Sequence, residues 1–176
     1  FYPQPREVDA DQLLRQADQA MYAAKLAGGN CCHVFDPDQD RTVRSRHEEV
    51  DQIRHALHNS EFVLYYQPKV NMATGALIGA EALIRWQHPE RGLLPPGMFL
   101  PVIEDHDLII EVGEWVINTA LDQIASWAEM GHRIPISVNL SAKHLQQHNF
   151  VDRIRALLDA HPNVDPSLLE LEVLET

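Results

Sequence analysis

Apolar and polar positions along the chain change period several times, and each change marks an element. Over residues 9–27, Leu13, Leu14, Ala17, Ala20, Met21 and Ala24 recur at helical spacing behind a capping Asp9 or Asp11, and Gly28-Gly29-Asn30 stops them. Cys31 to Phe35 reads as a short strand closed by Asp36-Pro37. Between 39 and 59 the apolar residues thin to Val43, Val50, Ile53 and Leu57, which predicts a helix with one narrow apolar stripe. Phe62 to Tyr66 is extended and ends at Gln67-Pro68, and Asn71 to Gly75 has the residues of a turn. A second strand covers 77–86.

Residues 87–97 carry His88-Pro89, Gly92 and Pro95-Pro96 and read as a loop. One helix is expected from near Pro96 to past Glu104. A longer one is expected from Leu108 to Met130, with Ile109, Val112, Val116, Ala120, Ile124 and Trp127 on its apolar face and Gly131 after it. Ile134 to Leu140 is a strand interrupted by Asn139. Ser141 opens a helix to about Ala160 with Leu145, Phe150, Ile154, Leu157 and Leu158 turned inward, and a last strand begins near Leu168. This alternation predicts an α/β fold: a mostly parallel sheet covered by helices, whose ligands sit at the C-terminal ends of the strands. The chain divides into 1–38, too small for its own core, a linking helix at 39–60, and an α/β unit at 61–176.

The stretch Leu77 to Trp86 joins this pattern to chemistry. On an extended chain Glu81, Leu83 and Arg85 share one face. The two charges can pair with each other, or one can hold a metal while the other meets a phosphate. Asn139 within its apolar run needs a partner for its amide. Glu170 and Glu172 repeat on one face of the last strand, and a positive group must meet them. Glu81, Asn139 and Glu172 come from three successive strands, and their oxygens suit Mg²⁺ or Mn²⁺ better than Zn²⁺.

Composition narrows the partners. A net charge of −12 over 176 residues argues against a nucleic-acid polymer, so an anionic ligand must be held locally by an arginine or two and by metal ions. No apolar run approaches the roughly 20 residues of a membrane span, and Phe1 to Pro5 does not resemble a signal peptide. A cytoplasmic protein is expected, with an upstream membrane anchor of the intact protein left open. The start without methionine and the end inside an apolar run suggest a piece of something longer. Cys31 and Cys32 read as buried thiols in a reducing compartment. His55 with His58, and His144 with His148, lie one turn apart without a third ligand, and His144 and His148 are expected on a solvated face.

Glu81-Ala82-Leu83 followed by Ile84-Arg85-Trp86, Tyr65-Tyr66-Gln67-Pro68 before it and Val138-Asn139-Leu140-Ser141 after it together resemble the EAL family of cyclic di-GMP phosphodiesterases, over about residues 45–176. Leu14 to Lys25, with Gly28, Asn30 and Phe35-Asp36-Pro37, resemble the C-terminal end of a GGDEF diguanylate cyclase domain. That family's nucleotide-binding turn and metal-binding acids are missing from the chain, so no cyclase activity is expected.

The EAL resemblance implies an incomplete (β/α)8-type barrel with its first strand reversed. It implies metal ligands at Glu81, Asn139 and Glu172, the last preferred over Glu175 for its distance from Asn139, and substrate contacts from Gln67, Leu83 and Arg85, Arg85 through a phosphate. It implies two-metal hydrolysis of cyclic di-GMP to linear pGpG by the intact domain. The family's paired aspartates, catalytic-site lysine and later glutamate and glutamine would lie downstream of Thr176, so no complete catalytic set is expected here and this chain alone should be inactive. The alternative is a catalytically silent EAL domain acting as a cyclic di-GMP receptor. Partners on either reading are cyclic di-GMP, a second copy in a homodimer, and an upstream sensory domain of the intact protein.

Overall fold

The computed structural model describes residues 37–173, with side chains from Ser45 on, and before them Ala10, Leu14, Ala17, Asp18, Ala20, Met21 and Lys25, all helical. Most of the helix expected over 9–27, the strand expected at Cys31 to Phe35, and Glu175 lie outside the described residues. The chain divides into two compact units between His47 and Glu48.

The second unit opens on the later residues of α1 (Pro37–His58), whose Val50, Ile53 and Ala56 are buried as the stripe predicts. Strand β1 (Phe62–Val70) extends four residues beyond the expected Tyr66 and pairs antiparallel with β2 (Leu77–His88). Pro68 is tolerated within it because β1 is an end strand of the sheet. In the turn between them, Asn71 Oδ1 accepts from Ala73 N at 2.9 Å and Thr74 N at 3.1 Å, and Gly75 takes a φ of 68°.

The expected loop at 87–97 contains a short strand, β3 (Gly92–Leu94), antiparallel to the end of β2. A 3₁₀ turn at Pro96–Met98 leads into the single-turn α2 (Leu100–Ile103), so the helix expected to run past Glu104 stops at Ile103. Helix α3 (Leu108–Glu129) crosses to β4 (Ile136–Leu140), which lies parallel to β2.

The single helix expected over 141–160 is two: α4 (Ala142–Leu145) and α5 (Phe150–Asp159). Broken phase explains why their faces differ from expectation. Leu145 is 43% exposed, whereas His144, expected in solvent, is 1% exposed. A 3₁₀ turn at Pro166–Leu168 leads into β5 (Leu169–Val173), parallel to β4.

The sheet runs β1-β2-β4-β5, with β3 also on β2, and is not closed. Its helix-covered face forms the core. Ala82, Ile84 and Trp86 of β2 and Ile136, Val138 and Leu140 of β4 meet Val112, Val116, Ile117, Ala120, Leu121 and Ile124 of α3. Phe62, Trp86 and Phe99 stack at centroid distances of 5.4–5.8 Å, and the Trp86 indole donates to Glu61 at 2.9 Å. Parallel alignment of β2, β4 and β5 brings their C-terminal ends to one side of the unit.

Candidate functional site

Because Ala82, Ile84 and Trp86 fill the core, the pleat turns Glu81, Leu83 and Arg85 to the opposite face, where each is half-buried. The register sets Gln67 beside Glu81, Tyr65 beside Leu83, and Asn139 beside Glu172. Asn139 donates its side-chain amide to Glu81 Oε1 at 2.7 Å, the partner that an amide within an apolar strand requires.

Arg85 turns away from Glu81. Its Nη1 donates to the Ile84 carbonyl at 2.8 Å, and its guanidinium carbon lies 5.9 Å from the centroid of the Tyr65 ring. The two opposite charges of β2 therefore do not pair with each other.

Glu172 has a partner that the sequence reading missed. Lys69 Nζ donates to Glu172 Oε1 at 2.5 Å, touches Ser137 Oγ, and lies 3.6 Å from Glu170 Oε2, while Ser137 Oγ donates to Glu170 Oε2 at 3.0 Å. The Lys69 hydrogen bond holds the Glu172 carboxyl below its ordinary range, helped by the Ser137 hydroxyl, and the bond to Glu172 raises Lys69 in turn. Period-2 reading of β1 carries the clue, since it puts Tyr65, Gln67 and Lys69 on one face.

A cavity of about 760 Å³ opens at the C-terminal ends of β2 and β4, lined by Leu83 and Asn139 but by neither Glu81, Arg85, Lys69 nor Glu172. Leu83, Asn139 and Leu140 line it from the sheet, Pro96, Leu100 and Glu104 from the connection after β3, and Ser141, Lys143 and Gln146 from α4 and its two caps. Its position is where α/β folds hold ligands.

The donors present fit a hard divalent cation in kind, being two carboxylates and an amide from three neighbouring strands. Among the described residues no group of three or more His, Cys, Asp or Glu side chains gathers as a metal centre. Sequence reasoning thus named side chains that the fold brings into one region: Gln67, Glu81, Leu83, Asn139 and Glu172, with Arg85 farther along the same face of β2. The histidine pairs contribute nothing to it.

Among the described residues no helix is long and apolar enough to cross a membrane. The EAL domain profile matches residues 50–176. The bifunctional diguanylate cyclase/cyclic di-GMP phosphodiesterase MucR of Pseudomonas aeruginosa is 41% identical over 94% of this chain, and the cyclic di-GMP phosphodiesterase PdeR of Escherichia coli is 34% identical over 96%. The chain spans 24% and 25% of the length of these two relatives. Among solved structures, the PaMucR phosphodiesterase in its c-di-GMP complex superposes with a TM-score of 0.69 at 44% identity, over 73% of this chain and 52% of that one. The EAL enzyme Bd1971, in its cAMP and cyclic-di-GMP bound form, gives a TM-score of 0.69 at 27% identity over 95% of this chain and 44% of that one.

Proposed function

Since the chain belongs to the EAL domain family, we propose that its α/β unit is the N-terminal half of a cyclic di-GMP site and that the intact domain hydrolyses cyclic di-GMP to linear pGpG. The observation that carries this reading is the arrangement on β2. Glu81 is joined to Asn139 of the next strand, while Arg85 on the same face is left to meet an anion. In this reading Glu81, Asn139 and Glu172 hold Mg²⁺ or Mn²⁺, and Gln67, Leu83 and Arg85 contact the dinucleotide, Arg85 through a phosphate. A bound metal pair supplies an activated water and stabilises the charge that builds on the phosphodiester. The side chains here orient the nucleotide beside the cavity and gather the oxygens.

The chain spans about half of the solved EAL structures it matches, so by itself it is proposed to be inactive. Residues 1–38 are proposed to be the end of a GGDEF domain. The match to the bifunctional relative, which covers 94% of the chain, supports that reading.

The test uses the chain extended to the whole domain, measuring turnover and cyclic di-GMP affinity. Glu81→Gln keeps shape and removes charge, so turnover should collapse while binding survives. Arg85→Ala should weaken binding by about 1.5–3 kcal/mol, the usual strength of a hydrogen bond to a charged group. Turnover surviving Glu81→Gln would refute the assignment. Binding without any turnover in the unsubstituted domain would instead identify a receptor.

A further inference from the structure

Lys69 reaches into this region, and the proposed function gives it no task. It lies on β1 two residues beyond Gln67, where the pairing with β2 slips in register between Lys69 and Val70. Such slips re-aim side chains beside functional sites. Opposite Lys69 stands Gly79, and a Cβ there would lie 3.8 Å from Lys69 Cδ and 3.2 Å from the Pro135 carbonyl oxygen. A Cβ would be in ordinary van der Waals contact with the lysine stem, and the close approach at Gly79 is to the Pro135 carbonyl. Its ammonium ends among residues of β4 and β5: Ser137 Oγ, Glu172 Oε1 at 2.5 Å and Glu170 Oε2 at 3.6 Å.

The three charged side chains are about a third to a half exposed, where an ion pair by itself contributes little to stability. Glu170 and Glu172 project from the same face of one strand and repel each other, and Ser137, which is fully buried, ties the lysine to Glu170 by its hydroxyl. The lysine engages one oxygen of Glu172.

We propose that Lys69 is a positioning residue: it holds the Glu172 carboxylate in the orientation from which that group binds a divalent cation. This rests on the reading of Glu172 as a metal ligand. Partners that orient a metal's ligands commonly change affinity 10–100-fold when removed.

The test is a Mn²⁺ titration of the chain extended to the whole domain, followed by calorimetry, beside its urea-unfolding midpoint. Lys69→Met keeps the stem and removes the ammonium, and should weaken Mn²⁺ binding by about tenfold or more. Lys69→Arg, which restores a cationic donor, should recover most of the loss. Glu170→Gln alters the same ion-pair cluster without touching the proposed ligand, so its affinity should stay near that of the unsubstituted chain. Ser137→Ala, a smaller change that is kinder to folding, should weaken binding by a smaller factor than Lys69→Met. Unchanged or tighter binding by Lys69→Met, or an equal loss in Glu170→Gln, overturns the proposal while leaving the metal reading intact. No Mn²⁺ binding by the unsubstituted whole domain overturns the metal reading and the proposal with it.

Discussion

Gly113→Ala puts a single methyl group where the structure has no room. Gly113 lies in the interior of α3, where alanine favours the helix by about 1 kcal/mol over glycine. An added Cβ would sit 2.5 Å from His144 Nδ1 and 3.1 Å from Cε1, against ordinary contact near 3.5–4.0 Å. The ring must therefore retreat by about 1 Å, and it has little space to do so. His144 is 1% exposed, and Phe150 meets it edge-on at 5.3 Å from the other side. Overpacking costs of roughly 1–3 kcal/mol apply, toward the upper end for a contact this short.

After the gain in helix propensity, a net loss of about 2 kcal/mol remains. With a urea dependence of about 1–3 kcal/mol per molar, the midpoint should fall by roughly 1 M. Urea unfolding followed by the fluorescence of Trp115 and Trp127, both on α3, measures it. Ser141 accepts from His144 N at 3.1 Å, so the strain should reach the segment that begins at Asn139 and reduce cyclic di-GMP affinity in the whole domain. Combining the substitution with His144→Ala frees space for the methyl, and the double variant should lose less than the two singles together. A Gly113→Ala chain as stable as the parent would refute the packing argument.

Burial of the His144 ring holds its proton affinity below the ordinary value of 6.5, with Glu114 pulling the other way and Arg153 adding to the depression. The unfolded chain then binds more protons as acid is added, so stability is full above about pH 6.5 and declines below it. Among the described residues neither ring nitrogen has a hydrogen-bond partner, so His144→Leu should be near-neutral at pH 7.5 and should flatten this acid slope in urea titrations; an unchanged slope would count against it. Phe99→Ala should cost about 3–5 kcal/mol, because the ring is 1% exposed and packs on Phe62 and Trp86; a loss below about 1 kcal/mol by the same unfolding assay would contradict its place in the core. Leu171 and Val173 are exposed on the end strand β5, which predicts self-association; light scattering that shows only a monomer would refute this.

Legibility in the sequence followed the length and regularity of each pattern. Helix α3 repeats its apolar residues over 22 positions and ends before Gly131, whose φ of 83° only glycine adopts readily, so its limits were readable within a residue. Strand β3 spans three residues, too few for any period, and is made only because the end of β2 offers it free hydrogen-bonding groups. The stretch after Ser141 has enough apolar residues for one helix. Its break after Leu145 follows from tertiary contacts, since the imidazole of His144 docks against Gly113 of α3. A periodic reading that assumes one continuous helix must then assign His144 and Leu145 to the wrong faces.

The site divides along the same line between what a strand dictates and what only folding supplies. Glu81 and Arg85 are four residues apart, so an extended backbone separates their α-carbons by about 13 Å. That distance opposes the simple ion pair, and each charge is left for a partner on another strand: Asn139 for Glu81, and the Tyr65 ring for Arg85. Spacing thus accounts for the two charges not pairing with each other, while their service to a ligand is what the family resemblance adds. Lys69 is different. Its partner Glu172 lies 103 residues away, and they meet only because β1 pairs antiparallel with β2, β4 and β5 follow β2 in the sheet, and β4 supplies Ser137 beside the lysine. None of these conditions is local. The acids of β5 announced in the sequence that a cation was needed, but its identity depended on strand order, and strand order is set by the whole sheet.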